Sequence, residues 1–215
     1  MRVENVPLGF ELSVGEMKAG DRTPASLSLK FVQSRTSMRV NGFLSHDDLV
    51  FFEGKLDGQG DDFVRLLNNT GIISGIDALM QLEALPVSFS IETEIAGSAK
   101  TLKLDDLDFR VGDTKGNGHI AFVSDEATRV DAMLSLNSLT LDDLLSASDK
   151  AQSAPLDVEA LAQNLAIDIP ATFSGKLDLT VNAAKYREGL VRQLVLRASA
   201  GNGKVALERL SALAP

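Results

Sequence analysis

Two histidines, His46 and His119, are the chain's only imidazoles. Neither has a second His or Glu at ligand spacing, so metal coordination by histidine is not expected. His46 precedes a polar turn. His119 falls on the polar phase of an alternating run that carries Ile120 and Phe122. Both read as solvated surface residues. Four acidic pairs, Asp47-Asp48, Asp61-Asp62, Asp105-Asp106 and Asp142-Asp143, could in principle do acid/base work or bind calcium. Two of them stand where a helix would begin, where carboxylates complement the helix dipole. The run Asp57-Gly58-Gln59-Gly60-Asp61 has the composition of a calcium loop but lacks its ligand spacing and its terminal Glu. Gly116-Asn117-Gly118 leads into a strand pattern, so it offers no helix N-terminus to a phosphate. No Gly-x-Ser-x-Gly elbow occurs, and there is no cysteine for thiol or thiolate chemistry. No catalytic residue, metal site or cofactor site is expected. The chain reads as a non-enzyme.

The elements that such residues would need are strands. Three of the six prolines open a common signature: Pro7-Leu8-Gly9-Phe10, Pro86-Val87-Ser88-Phe89 and Pro170-Ala171-Thr172-Phe173. Each starts a run in which apolar and polar residues alternate, as in a strand with one buried face. The signature recurs at intervals of about 80 residues, which argues for a tandem repeat with units near 7–85, 86–169 and 170–215, the last incomplete. In the first unit, runs at Phe10–Val14, Leu27–Phe31, Met38–Gly42 and Leu49–Leu56 predict four strands, with Gly58-Gln59-Gly60 closing the sheet portion. Asp61–Leu67 and Ile76–Ala84 predict short helices. The second unit repeats the plan through Val87–Ile95, Leu102–Val111, Ile120–Phe122 and Val130–Leu136. Its alternation slips by one residue at Asp105-Asp106, which predicts a bulge or a break. Asp113 to Gly118 has the composition of a hairpin connection, and helices are predicted from Thr140 and over Pro155–Ala166. The third unit offers Phe173–Val181 and Leu194–Leu196. It then offers Gly201-Asn202-Gly203, which matches Gly116-Asn117-Gly118 in composition. A unit amounts to about five strands and one or two short helices, and units should stack with strands pairing across the joints.

Composition narrows the function. The net charge of −9 lacks the basic face that nucleic-acid binding needs. It also argues against electrostatic adsorption to an anionic membrane. With no Trp and one Tyr, Tyr186, stacking platforms for bases or sugars are not expected. No run approaches the roughly 18 apolar residues of a membrane span, and the first residues carry no signal-peptide core. The chain reads as a segment of something longer.

The most prominent feature is the set of apolar phases. Nearly every strand offers one, and the predicted helices are too few and short to cover them all. Part of the sheet is therefore expected to form an apolar trough. Its expected lining is Phe89, Ile91, Ile120, Phe122, Leu134, Leu136, Leu177 and Leu179. The bland alternative is that these residues pack as ordinary core.

The stretch Leu104-Asp105-Asp106-Leu107-Asp108-Phe109-Arg110-Val111-Gly112-Asp113-Thr114, then Gly116-x-Gly118, an alternating strand, and Leu136-Asn137-Ser138-Leu139-Thr140-Leu141-Asp142-Asp143-Leu144-Leu145 resembles the AsmA-like family of Gram-negative bacteria. Phe52-Glu53-Gly54-Lys55-Leu56-Asp57-Gly58 is similar to that family's recurrent strands. The resemblance covers roughly Pro7 to Leu207 and rests on alternation and turns rather than invariant residues. It implies the periplasmic part of an inner-membrane-anchored protein, related to TamB and the bridge-like lipid transfer proteins. Such a protein carries phospholipid along an apolar groove in outer-membrane biogenesis or maintenance. This chain departs from the family in lacking the anchor.

The expected fold is therefore mainly β: a curved antiparallel repeat sheet, an open groove or taco, with short helices at the repeat ends. The expected partners are phospholipid and other segments of the same longer chain. The rival reading is a periplasmic scaffold or protein-assembly module that binds client strands by β-augmentation.

Overall fold

The computed structural model describes residues 8–16, 21–32, 34–46, 50–63, 66, 87–140, 171–186 and 189–213. They form one eleven-stranded sheet whose spatial order follows the sequence from β1 to β11. The strands are β1 (Leu8–Val14), β2 (Thr23–Phe31), β3 (Thr36–His46), β4 (Val50–Gly60), β5 (Phe89–Ser98), β6 (Thr101–Val111), β7 (Thr114–Ser124), β8 (Thr128–Thr140), β9 (Phe173–Tyr186), β10 (Gly189–Gly201) and β11 (Lys204–Leu213). The sheet is open, since β1 and β11 end the order without pairing to each other. The fold is thus the expected mainly-β sheet.

Alternation explains why these segments are strands and why they pair as they do. A one-residue slip in register would turn a strand's whole apolar set to the other face. The observed register keeps the set together. Reading across the sheet, Phe10 pairs with Leu29, Leu29 with Met38, Met38 with Gly58, and Gly58 with Ile91. The row continues through Phe109, Gly116, Leu136 and Val181 to Leu194. A parallel row runs Val14, Ala25, Gly42, Gly54, Ile95, Leu104, Ile120, Ala132, Leu177, Ala198 and Leu207, one residue from each of the eleven strands. One face of the sheet is apolar from edge to edge. The other carries the intervening polar residues.

Of three register irregularities, one lies in β10 between Arg192 and Val195, and the bulges of β6 and β11 preserve this arrangement where the sequence slips. Between the pairs Glu92–Asp108 and Glu94–Asp105, β6 spends one residue more than β5. Asp106 takes up the kink with φ of 48°, a left-handed conformation that Asp tolerates better than most residues. Leu102 and Leu104 on one side of the bulge thereby share a face with Leu107, Phe109 and Val111 on the other. In β11, Arg209 pairs with Arg197 and Leu207 with Ala198, so Glu208 is the extra residue and Leu210 rejoins the face of Leu207.

Several expectations are corrected. Gly58-Gln59-Gly60 does not close the sheet portion but lies within β4, with Gly58 and Gly60 buried. The hairpin turn after β6 is Gly112-Asp113 alone, and Gly116-Asn117-Gly118 lies inside β7. It therefore has no structural equivalence to Gly201-Asn202-Gly203. In that run Asn202 and Gly203 have φ of 52° and 72°, the two positive values of a type I′ hairpin turn. The strands following the three signatures number four, four and three among the described residues, rather than about five. Thr140 ends β8, paired with Lys185. The joints also differ. β4 and β5 pair antiparallel, but β8 and β9 pair parallel. A parallel pair requires a long crossover, and residues 141–172 supply the length.

Of the predicted helices, one turn is seen: the Leu66 amide donates to the Asp62 carbonyl at 3.1 Å. The rest, over Ile76–Ala84, Leu141–Leu145 and Pro155–Ala166, lie outside the described residues. The Asp62–Leu66 turn folds toward the apolar face. Phe63 stacks on Phe89 with ring centroids 5.4 Å apart, and Leu66 is buried. The densest packing lies where the parallel joint forms. There Leu136, Val181 and Ala184 are buried among Phe109, Leu139, Leu179, Val191 and Leu194.

Candidate functional site: the apolar face

Because paired residues share a face, the register places all eight expected lining residues on the same side. Phe89 and Ile91 alternate along β5, Ile120 and Phe122 along β7, Leu134 and Leu136 along β8, and Leu177 and Leu179 along β9. Leu134 pairs directly with Leu179. Ile91 reaches Leu136 through Phe109 and Gly116. Phe89 and Leu136 are buried, and the other six are half-buried. Residues outside the expected lining complete the surface. Leu56, Leu107 and Val181 are buried on it, and Thr93 fills the position opposite the β6 bulge. The Thr93 hydroxyl donates to the Asp105 carbonyl at 2.8 Å. This partner lets a polar residue stand in an apolar row at 2% exposure. Leu56, Leu107 and Val181 all fall in strand runs read from the sequence. The slip at Asp105-Asp106 marks the bulge, and Leu107 follows from reading the phase through it.

Glycines shape the row. A Cβ on Gly116 would collide with the Phe109 ring and with Leu136 Cδ2, the latter at 2.6 Å. Phe109 and Leu136 therefore meet across β7 over a residue without a side chain, which suits Gly.

Cover over the apolar face is uneven. At the β1 edge every residue is exposed, with Phe10 at 73% and Leu12 at 62%. At the β11 edge Val205 and Leu207 are 44% and 40% exposed. Between the edges most of the apolar residues are half-buried or buried, with Val50 at 48% and Leu102 at 37% the more exposed ones.

The opposite face is polar and holds a separate feature. A trough of about 970 Å³ runs across it from β2 to β9, lined mainly by polar-face side chains. That eight successive strands line one depression shows the sheet to be curved. One flanking row brings Lys30, Arg110 and Lys115, and the next brings Asp57, Glu92 and Asp108. The ion pairs Arg197–Asp178 at 2.5 Å on this face and Lys100–Asp125 at 2.6 Å between two turns are solvent-exposed. Such pairs contribute little to stability. None of the eight expected lining residues except Ile91 and Leu136 borders the trough, and these two contribute from the strand positions between the polar rows. The depression and the apolar surface are thus two sites on two faces.

His119 is exposed on the polar face, as expected. His46 is the last residue of β3. Asp105 and Asp106 mark the bulge, and Asp61 pairs with Arg35 at 3.5 Å beside the Asp62 turn. Asp47-Asp48 and Asp142-Asp143 lie outside the described residues. Among the described residues, no group of three acidic or histidine side chains could hold a metal ion, and no helix is long and apolar enough to cross a membrane.

No family model, curated protein or solved structure matches the chain.

Proposed function

We propose that this chain is a non-enzymatic, lipid-binding segment of a larger envelope protein, with acyl chains taken up on the apolar face of the sheet. The observation that carries this reading is the unbroken apolar surface. It spans eleven strands, about 48 Å at the usual strand spacing, and its side chains are less covered toward both edges. Acyl chains laid across such a surface would gain roughly 0.8 kcal/mol per buried methylene, while head groups stayed in water at its margin. The lining residues are Phe89, Ile91, Ile120, Phe122, Leu134, Leu136, Leu177 and Leu179. The proposal includes the setting implied by the AsmA-like resemblance: the periplasmic part of an inner-membrane-anchored protein acting in outer-membrane biogenesis or maintenance. It takes phospholipid as ligand and other segments of the same longer chain as neighbours.

The test is native mass spectrometry of the purified chain, followed by uptake of a fluorescent phospholipid. Co-purifying phospholipid is expected. Leu134→Asp and Leu179→Asp should each lower uptake several-fold. Met133→Asp, one residue along but on the other face and already half exposed, should not. Empty protein that takes up no labelled lipid would sink the reading.

A second reading has its own observation. β1 and β11 each have an unpaired long edge in the described sheet, and such edges accept an added strand by main-chain hydrogen bonding. In that reading the segment is an assembly module that binds client strands. An alternating strand peptide that slows amide exchange along β1 or β11, with no lipid bound, would favour it.

A further inference from the structure

We infer that the two edges of the sheet are complementary to each other, so that β11 of one copy pairs with β1 of the next. This rests on the edge-pairing reading and names the strand donor as a second copy of this chain.

The first ground is direction. Ten joints connect eleven strands, and all are antiparallel except β8–β9. In a fully antiparallel sheet of eleven strands, the first and last would point the same way. The single parallel joint reverses this, so β1 and β11 run in opposite directions. A second copy set edge to edge, with its apolar face on the same side, therefore meets β11 in antiparallel pairing, the stronger of the two ladders.

The second ground is register. Setting Glu11 opposite Arg209 also sets Phe10 opposite Leu210. Beyond the β11 bulge at Glu208, the same alignment brings Val14 opposite Val205. Phe10 and Leu12 are the most exposed apolar residues of their face, and on β11 Val205 and Leu207 are also exposed while Leu210 is half-buried. Edge pairing would cover both sets and continue the apolar surface from copy to copy.

The third ground is charge. Glu11 and Arg209 lie on the polar faces of their strands and have no ion-pair partner among the described residues. Pairing β11 with β1 brings them together. Pairing β1 with β1 about its centre would set Glu11 against Glu11, and like charges directly opposite destabilise a ladder. The contact selected is head-to-tail, which closes into a ring or grows as an open array.

The native chain has no cysteine, so a paired substitution reads the contact directly. Opposed residues in an antiparallel pair fall within the Cα separation of a disulfide. The full chain carrying both Glu11→Cys and Arg209→Cys, mildly oxidised, should give a ladder of covalent multimers, and either single variant should remain monomeric. In sedimentation of the cysteine-free protein, Arg209→Glu should weaken self-association roughly fivefold, and Glu11→Lys together with Arg209→Glu should restore it. A double variant that stays monomeric with both thiols accessible would overturn the inference. So would a single variant that dimerises as readily as the double one forms a ladder, since that contact joins like edges. An unrelated strand peptide that protects β1 amides while no ladder forms would reject self-pairing and leave client pairing standing.

Discussion

At the residue scale, the most informative side chain is Thr93. It stands in a row of Leu and Val, nearly inaccessible, and its hydroxyl bonds the carbonyls of Asp105 at 2.8 Å and Glu94 at 3.0 Å. Thr93 thereby ties β5 to the carbonyl of Asp105 beside the β6 bulge. Removing the hydroxyl loses that bond and puts nothing in its place. Thr93→Val, close in shape, should therefore lose about 1–2 kcal/mol of stability, while Thr93→Ser should retain most of it. Chemical denaturation of the three proteins measures this, and a Val variant as stable as the parent would show that the bulge needs no hydroxyl. The glycines of the same face were visible in the sequence, but their reason was not. Gly42 and Gly54 pair across β3 and β4, and a Cβ on Gly54 would meet the backbone of Asn41 and Gly42, which cannot turn aside. That crowding depends on register, which one strand's sequence does not contain.

At the scale of elements, the contrast is between the parallel joint and the edges. Val181 on β9 is fully buried where β8 and β9 meet, while Val205 on β11 is largely open. Val181→Ala should cost about 2 kcal/mol, through lost transfer energy and the cavity left behind. Val205→Ala should cost under about 0.5 kcal/mol, as surface changes do. Unfolding midpoints compare them directly, and equal losses would mean that the joint is not the packing centre. Alternation located ten of the eleven strands to within a few residues, or their apolar cores. In β11 the phase changes from Leu207 to Leu210, so strict alternation does not run through it. The parallel pairing of β8 and β9 was not legible, because period-two patterning is the same in both directions of a strand.

For the whole molecule, neighbour-to-neighbour order means that each inner strand of the described sheet is hydrogen-bonded to the two beside it and each edge strand to one, so stability should fall toward the ends. Hydrogen exchange is expected to be slowest in β5–β9 and fastest in β1 and β11, where local opening breaks one ladder instead of two. Uniform protection across the sheet would instead indicate a single cooperative unit whose edges are covered. Under conditions that favour the proposed head-to-tail contact, β1 and β11 should gain protection together, and added salt should weaken the gain because the Glu11–Arg209 attraction is solvent-exposed and screened.

By itself, the sequence determined that this protein is a mainly-β chain with one apolar and one polar phase per strand. Side chains alternate along a strand whatever surrounds it. It also marked the β6 bulge, since an inserted residue leaves a visible slip in that alternation. It placed the eight lining residues on apolar phases but could not place them on one surface. Only the tertiary structure did that, because the shared face is a property of register between strands far apart in the chain. The tertiary structure also decided that the measurable trough lies against the polar face, and that one parallel joint sets the two edges in opposite directions. Both depend on how the whole sheet curves and closes its connections, which no local pattern encodes.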